Sequence, residues 1–540
     1  MKEYMDKNRS RIFVMGLFVF LIHGAKLNSN IFGIDTEELI QYQDEFYGGW
    51  LETGRQGLVF LKQRMGNLSY NPYFSGLLTL LCFVAAVSAF LLLWDGMIRE
   101  EKHSMTAWAA CGLLWVSHPI MTEQFYFTLQ SAEVCIAIFL TAIALCLTRI
   151  WEQAVMKDGW QTPKVLWLLP LAGILVLLVT FSVYQVMVVF YIFGAVTLVL
   201  LSGISEVITE KSCNIIKLWQ RIVPYVAVFL VAFVANSAIT SLFFQSSDYL
   251  GNQIQWGKSG DISENLRMIA GHTVKTLTGY DSIYYNIGYG ILCVVVLIAM
   301  LMLLVGSKVR KGAALTLVLF LLALFSTPYL MTIVIGGTPV VRSQLVLPAA
   351  TGFLAYLAIF LWQELRALYG CDISVADGTT SNKKSVLVLL FSGILVGCII
   401  GAWQQTQTTM QLYYTDSMRY EHDVAIAREL MQTIGDKYED QDIALVVVGS
   451  KPFVGNNSCI QGETIGVSFF DYDVELEPEC YWSTRRVLGL FHLLGADYEI
   501  APEDRFEGAI EYSEYMDAWP DKDCVKEQDG VVIIKMSEME

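Results

Sequence analysis

Charge is scarce in this chain. Of its 540 residues only 16% are Asp, Glu, Lys or Arg, while 54% are apolar; a soluble globular domain carries about a quarter charged residues. That shortage excludes an ordinary soluble protein. Metal-ligand spacing is also missing, because neither the eleven cysteines nor the six histidines form a paired-Cys or H-E-x-x-H set. No G-x-x-x-x-G-K-[ST] loop is present to cradle nucleotide phosphates. Basic residues are lacking where a nucleic acid would need them. Residues 404–540 hold 28 Asp/Glu against 10 Lys/Arg, more than the whole-chain net charge of −16. Phosphate contacts require Lys and Arg, so nucleic acid is excluded as a partner. Internal repeats are absent from the sequence as well.

What the chain has instead is apolar runs close to the twenty residues or so that cross about 30 Å of hydrocarbon as a helix. They lie at 11–27, 74–94, 105–118, 132–149, 165–182, 184–204, 222–243, 286–306, 312–327, 344–363 and 385–403. The shortest is 105–118, and 165–204 reads either as two spans or as one long broken one. The pattern predicts a polytopic α-helical membrane protein of about eleven transmembrane helices. Lys2, Lys7, Arg9 and Arg11 precede the first run as in a signal peptide, but that run is too long and lacks a cleavage site, so it reads as a retained anchor.

Basic residues orient the spans. Arg99/Lys102, Arg149/Lys157/Lys164, Lys211/Lys217/Arg221, Lys308/Arg310/Lys311 and Arg366/Lys383/Lys384 mark alternate connections, whereas 118–131 has none and 328–343 only Arg342. The N-terminus is expected to be cytoplasmic, with 28–73, 118–131, 244–285 and 404–540 exterior. The domains follow as a multispan unit, 1–403, and an acidic exterior module, 404–540. In the module, 415–434 has helical periodicity behind a Thr/Asp start signal. A buried strand is expected at 442–450, a helix at 483–495 and a last strand at 530–536. A small α/β fold follows. Of its Cys459, Cys480 and Cys524, one pair, Cys459–Cys480, suits a disulfide.

The candidate chemistry lies in the exterior loops. Asp35, Glu37, Glu38, Asp44, Glu45 and Glu52 follow the first span within "FGIDTEELIQYQDEFYGGWLETGRQGLVFLK". Most of these acids read as loop solvation, and Asp35 or Thr36 reads equally as a helix N-cap. The functional reading is a carboxylate at the bilayer surface acting as general base on a hydroxyl. Glu123, in "HPIMTEQFYF", sits among aromatics, where a lone acid needs water, a cation or a hydroxyl partner. His118 either caps its span or works beside Glu123. Tyr184 and Gln185 suit sugar hydroxyls or an interfacial aromatic belt. Arg342 and Arg55 suit a lipid phosphate, against snorkelling for the first and pairing with the loop acids for the second. Breaks at 117–127, 325–330 and 336–344 all fall on one side, which predicts one outward-facing cavity.

The segments "GIDTEE", "GGWLETGRQGLVFLK", "HPIMTEQFYF" and "FSVYQ", with the acidic tail ending "WPDKDCVKEQDGVVIIKMS", together resemble the bacterial type II glucosyltransferase family, which modifies O-antigen or other surface polymers. The resemblance implies a GT-C-like architecture in the bacterial plasma membrane. It also implies transfer of a sugar, typically glucose, from an undecaprenyl-phosphate carrier to a surface glycan acceptor. It places an acid of the first exterior loop at the catalytic centre, here Asp35 with Glu37 or Glu38 beside it. Many members have adjacent acids, whereas Thr36 separates Asp35 from Glu37 here, so the base is open between them. The implied step is inversion at the anomeric carbon; the resemblance assigns no role to Arg342 or Glu123, and placing Arg342 or Arg55 on the leaving phosphate follows from their charge alone. Partners would be membrane lipid and a separate donor synthase and flippase. No resident cofactor is implied, and a divalent cation is the one addition left open. Two rivals remain: a glycolipid transporter, which would want midplane charges and repeats, and a non-catalytic membrane scaffold.

Overall fold

The structure is a computed structural model that describes residues 2–27, 30–159, 162–244, 251, 254–258, 262–369, 382–438, 443–476 and 478–538. Among these residues nine helices are long and apolar enough to cross a membrane: Asn8–Leu27, Pro72–Asp95, Thr128–Asp158, Lys164–Val183, Val186–Glu210, Ile215–Phe243, Gly288–Gly306, Lys311–Ile335 and Val346–Leu368. Each matches an expected run, and 165–204 resolves into two helices that meet at Tyr184-Gln185. Local chemistry sets the ends. The Asn71 side chain caps Pro72–Asp95 by accepting the Phe74 N–H at 3.0 Å, with Pro72 at the first helical position.

The two remaining runs lie on helices of unusual length. Met105–Val116 has only 12 residues, about 18 Å of helix, yet it reaches from one end of the bundle to the other, its Trp108 indole on Asp95 beside Arg11 and its Val116 carbonyl on His23 at 2.8 Å. Ser104 caps its start, and Pro119 diverts the chain into a second short helix, Ile120–Tyr126. The run 385–403 belongs to a 56-residue helix, Asn382–Lys437, which passes residue 404 without interruption. The start signal read at Thr415-Asp416 is used otherwise. Thr415 bonds back to the Gln411 carbonyl at 2.8 Å and Asp416 pairs with Arg419, so neither side chain caps a helix start.

Val346–Leu368 is buried almost throughout, between Met105–Val116 and Gly288–Gly306. It is apolar on every face because every face meets another helix. Outer helices turn Leu171, Val223 and Val305 outward, an apolar periphery that suits lipid rather than water. Buried charges pin the two ends of the bundle. At one end Asp95 accepts from Arg11 at 2.8 Å, and from the Trp108 indole and the Tyr356 phenol at 2.6 Å each. At the other, Lys62 and Glu133, both buried, lie 3.1 Å apart and tie first-loop helix Gln56–Met65 to Thr128–Asp158.

The C-terminal sheet has the order β2-β1-β4-β3, with β1 Ala444–Val448, β2 Glu499–Ile500, β3 Val525–Gln528 and β4 Val531–Lys535. β1 runs parallel to β2 and β4, and β3 antiparallel to β4. Leu445 and Val447 face Ile426, Leu430 and Phe491 of the long helix and helix Tyr481–Leu493, while Val446 and Val448 face Phe506 and Ala509. Burial on both faces explains the unbroken apolar run "ALVVV". Strands β1 and β4 and helix Tyr481–Leu493 match the expected elements; β2 and β3 were not anticipated. The expected Cys459–Cys480 disulfide is not formed. All ten described cysteines are free, Cys480 lying in the sheet core and Cys459 on a half-exposed loop. Cys371 lies outside the described residues.

Candidate active site at the first loop

The first loop folds into three short helices, Thr36–Gln41, Gln43–Glu52 and Gln56–Met65. Asp35 stands at the start of the first with φ +74°, in left-handed backbone that Asp and Asn tolerate better than most residues. It occupies the N-cap position but makes no side-chain cap. Its carboxylate turns instead to Arg486, Oδ1 lying 3.0 Å from Nη1. Glu37 is fully buried, and its Oε1 accepts from Arg486 at 2.6 Å and from the Asp35 N–H at 3.2 Å. Arg486 also reaches Asp473 at 2.6 Å. Neighbouring Arg485 bonds both Glu38 oxygens at 2.8 and 2.9 Å, pairs with Glu45 at 3.1 Å and stacks on Tyr42 at 4.3 Å. Two adjacent arginines of the C-terminal domain thus clamp the acids of the first loop. Gly489 permits the close fit: a Cβ there would sit 2.6 Å from the Glu37 Cγ.

Burial pushes the Glu37 carboxyl up to about 7, against the pull of Arg486. An acid with a raised folded pKa contributes stability below its unfolded value and loses it as pH climbs through the folded one. The window runs here from the ordinary Glu value of 4.5 to about 7. Wild-type stability is therefore expected to fall more steeply than that of Glu37→Gln between about pH 5 and pH 8, measured by thermal unfolding of the solubilised proteins. Parallel slopes would contradict the assignment.

Glu123 is buried on Ile120–Tyr126 and held by the loop 460–466 of the C-terminal domain. Its carboxylate accepts the Glu463 N–H at 2.9 Å, the Thr464 N–H at 3.3 Å and the Tyr284 phenol. A Cβ at Gly462 would lie 2.5 Å from the Glu123 Oε1, so only glycine lets this backbone approach. Glu123→Gln would point an amide at donors. A loss of about 1–3 kcal/mol is expected, the cost of buried groups left unpaired, together with faster limited proteolysis within 460–466. His118 is buried on the turn before this helix, its Nδ1 accepting the Ile120 N–H at 3.4 Å.

Arg342 lies over the Phe127 ring at 4.1 Å. Beside it the Val341 N–H donates to Glu463 at 2.7 Å, so Arg342 and Glu123 flank the same loop. The Tyr472 phenol, whose pKa is raised chiefly by burial, feels Asp35 and Asp473 on one hand and Arg342 and Arg486 on the other. Arg486 lies over that ring, 5.0 Å from its centre. Arg55, Tyr184 and Gln185 form another cluster. Arg55 donates to Gln130 at 3.3 Å and lies 5.7 Å from the centre of the Tyr184 ring, and Gln185 donates to the Thr53 carbonyl at 3.0 Å. The cations paired with the loop acids are Arg485 and Arg486.

Several residues of this site were not anticipated. Arg485-Arg486 is the only adjacent basic pair in an otherwise acidic tail, a signal open to sequence reading. Arg419 was legible from its spacing, three after Asp416 and four before Asp423 on one helix. It is fully buried, bonds Asp416 at 2.6 Å and the Phe32 carbonyl at 3.0 Å, and lies within 3.4 Å of Asp423. Nothing in the sequence marks Tyr284 or the loop 460–466. Among the described residues, the carboxylates close enough together to hold a metal ion are Asp517, Asp521 and Asp523, all exposed and separate from the first-loop acids.

The arrangement sets a half-exposed carboxylate, Asp35, beside guanidinium groups at the end of an apolar helical bundle. Neither the curated proteins nor the solved structures contain a match. The family model described as glucosyl transferase GtrII matches residues 24–361, more than half of the chain, including Asp35, Glu123 and Arg342 but not the C-terminal domain. The chain is a membrane protein that belongs to the GtrII glucosyltransferase family.

Proposed function

We propose that the protein moves glucose from a polyprenyl-phosphate carrier to a glycan acceptor at the exterior face of the bacterial plasma membrane, with Asp35 as general base. The observation that carries the reading is the differing accessibility of the two leading acids. Asp35 keeps about a third of its side chain exposed, whereas Glu37 is sealed beneath Arg486. An acceptor hydroxyl can approach the first and not the second. Glu37 and Arg486 then act as positioning residues that fix the Asp35 carboxylate and its backbone.

In the proposed step the acceptor oxygen bonds to the anomeric carbon while the bond from that carbon to the phosphate oxygen breaks. The hydroxyl proton passes to Asp35, and polyprenyl phosphate leaves with the bonding electron pair. Arg342, which lies over the Phe127 ring beside the loop that holds Glu123, would stabilise the leaving phosphate. The prenyl chain would lie between helices, which accounts for a site at the membrane surface. Donor synthesis and flipping would fall to separate proteins, and no resident cofactor is invoked.

The test is transfer by the purified full-length protein from a short-chain polyprenyl-phosphoryl glucose to envelope polysaccharide of the producing cells. Mass spectrometry should find one added hexose, and NMR an anomeric configuration opposite to that of the donor. Retention of configuration would reject the single displacement, and absence of added hexose would reject the transferase assignment.

A further inference from the structure

The C-terminal domain contains a cavity of about 1130 Å³ that the proposed chemistry does not use. It opens where the parallel strands β1 and β4 end, lined by Ser450 after β1 and Ser537 after β4. β1 pairs with β2 on one side and with β4 on the other, so the chain passes from β1 to one side and after β2 crosses back to place β3 and β4 on the other, a reversal of winding at β1. Ligands of open parallel sheets bind in the crevice at such a reversal, outside the carboxyl ends of the strands. The two loops are held against each other at the floor of this opening. Gly449, at φ +81°, presses on the Ser537 backbone, where a Cβ would come within 2.5 Å, and the Ser450 N–H bonds the Ser537 hydroxyl at 3.0 Å.

The wall is rich in oxygen. Asp471, Tyr472, Asp473, Glu475 and Glu479 all face the cavity. Such a surface, with Lys451 as its lysine, accepts hydrogen bonds from hydroxyl groups. It repels anions. The cavity also adjoins the candidate base: Asp473 bonds Arg486 at 2.6 Å, and Arg486 in turn bonds Asp35 at 3.0 Å. One arginine therefore separates the cavity wall from the acid that would activate an acceptor hydroxyl.

We infer that this cavity is the binding site for the acceptor, a hydroxyl-rich glycan segment without negative charge, and that it presents the chain end to Asp35. The inference rests on the glucosyltransferase reading and names the substrate class its acceptor side takes. It also gives the C-terminal domain a task that the family match, which ends at residue 361, leaves unassigned.

The test is equilibrium binding of fluorescently labelled envelope oligosaccharides from the producing cells, separated by ion exchange into neutral and acidic fractions, to the solubilised full-length protein. Leu476→Trp narrows the cavity from an exposed lining position, and the double variant Glu475→Gln/Glu479→Gln removes two acceptor carboxylates at its exposed rim. All three positions are exposed, so both proteins should melt as wild type does. Neutral fragments should bind wild type, and both variants should weaken that binding by about tenfold or more, the effect of losing one or two good hydrogen bonds. Asp35→Asn should bind the fragments as wild type does. Unchanged binding in both variants, a preference for the acidic fraction, or no binding to wild type would each overturn the inference. Failure of the glucosyltransferase reading would show separately, as no hexose added by the wild-type protein in the transfer assay while binding of the fragments persists.

Discussion

Asp35→Asn is expected to lower sugar transfer by about 10²- to 10⁴-fold, the contribution of a positioned general base, with the fold intact. The substitution is unusually clean at this position. Asparagine tolerates the left-handed backbone that Asp35 adopts, so no new strain arises. Its amide oxygen can still accept from Arg486, and the buried Glu37 remains to anchor the same arginine. What disappears is the capacity to take a proton. Initial rates with polyprenyl-phosphoryl glucose at saturating acceptor measure the effect, and thermal unfolding confirms the fold. A rate close to wild type would remove Asp35 from the mechanism. Glu37→Gln discriminates between the two acids, because a positioning residue should cost less than the base itself. The reverse ranking would transfer the role to Glu37.

The second large effect is on stability. Arg419→Met should destabilise the protein by about 3–5 kcal/mol, the usual consequence of removing one partner from a buried charge network. Arg419 sits at the centre of the tertiary structure. It lies between Asp416 and Asp423 on the long helix and holds the Phe32 carbonyl at the entrance to the first loop. The rings of Tyr126, Tyr420 and Phe469 surround it at 5.3–6.0 Å. Without the guanidinium, Asp416 and Asp423 would be left buried without the cation that bonds them. Asp423 also bonds the Ser468 hydroxyl at 2.6 Å and the Phe469 N–H at 3.1 Å, so the loss would spread into the C-terminal domain. The triple variant Arg419→Met/Asp416→Asn/Asp423→Asn should recover part of the loss, because whole buried charge sets are often replaceable where single members are not. Thermal denaturation in detergent measures both, and a triple variant no more stable than the single would defeat the explanation by charge compensation.

The spans were legible because hydrocarbon imposes a length on any helix that crosses it, and nine apolar runs met that length. The run at 105–118 was legible although short, because it still reaches from the Asp95 end of the bundle to the His23 end before Pro119 breaks it. The junction at 403/404 is marked by composition and not by the backbone. Composition changes sharply there, but backbone hydrogen bonding in a helix is indifferent to composition, and Asn382–Lys437 carries straight through. Of the candidate acids, Asp35, Glu37 and Glu38 were legible from crowding behind the first span. Their inequality was not. Which one stays accessible depends on Arg485 and Arg486, more than four hundred residues away in sequence. Glu123 was legible as an acid among aromatics that needed a partner, but its partners, Tyr284 and the amides of loop 460–466, carry no signal in the chain.

By itself, then, the sequence determined the solvent this protein meets, its helical class, the acidity of its tail and the loop in which to look for chemistry. These follow from composition and short-range periodicity, which water and lipid read locally. The tertiary structure alone decided that Asp35 is the reachable acid, that Glu37 is sealed under an arginine, and that the C-terminal domain lies directly on the first loop. Those outcomes depend on burial and on ion pairs between distant segments. Both are properties of the packed chain, and no local stretch of residues contains them.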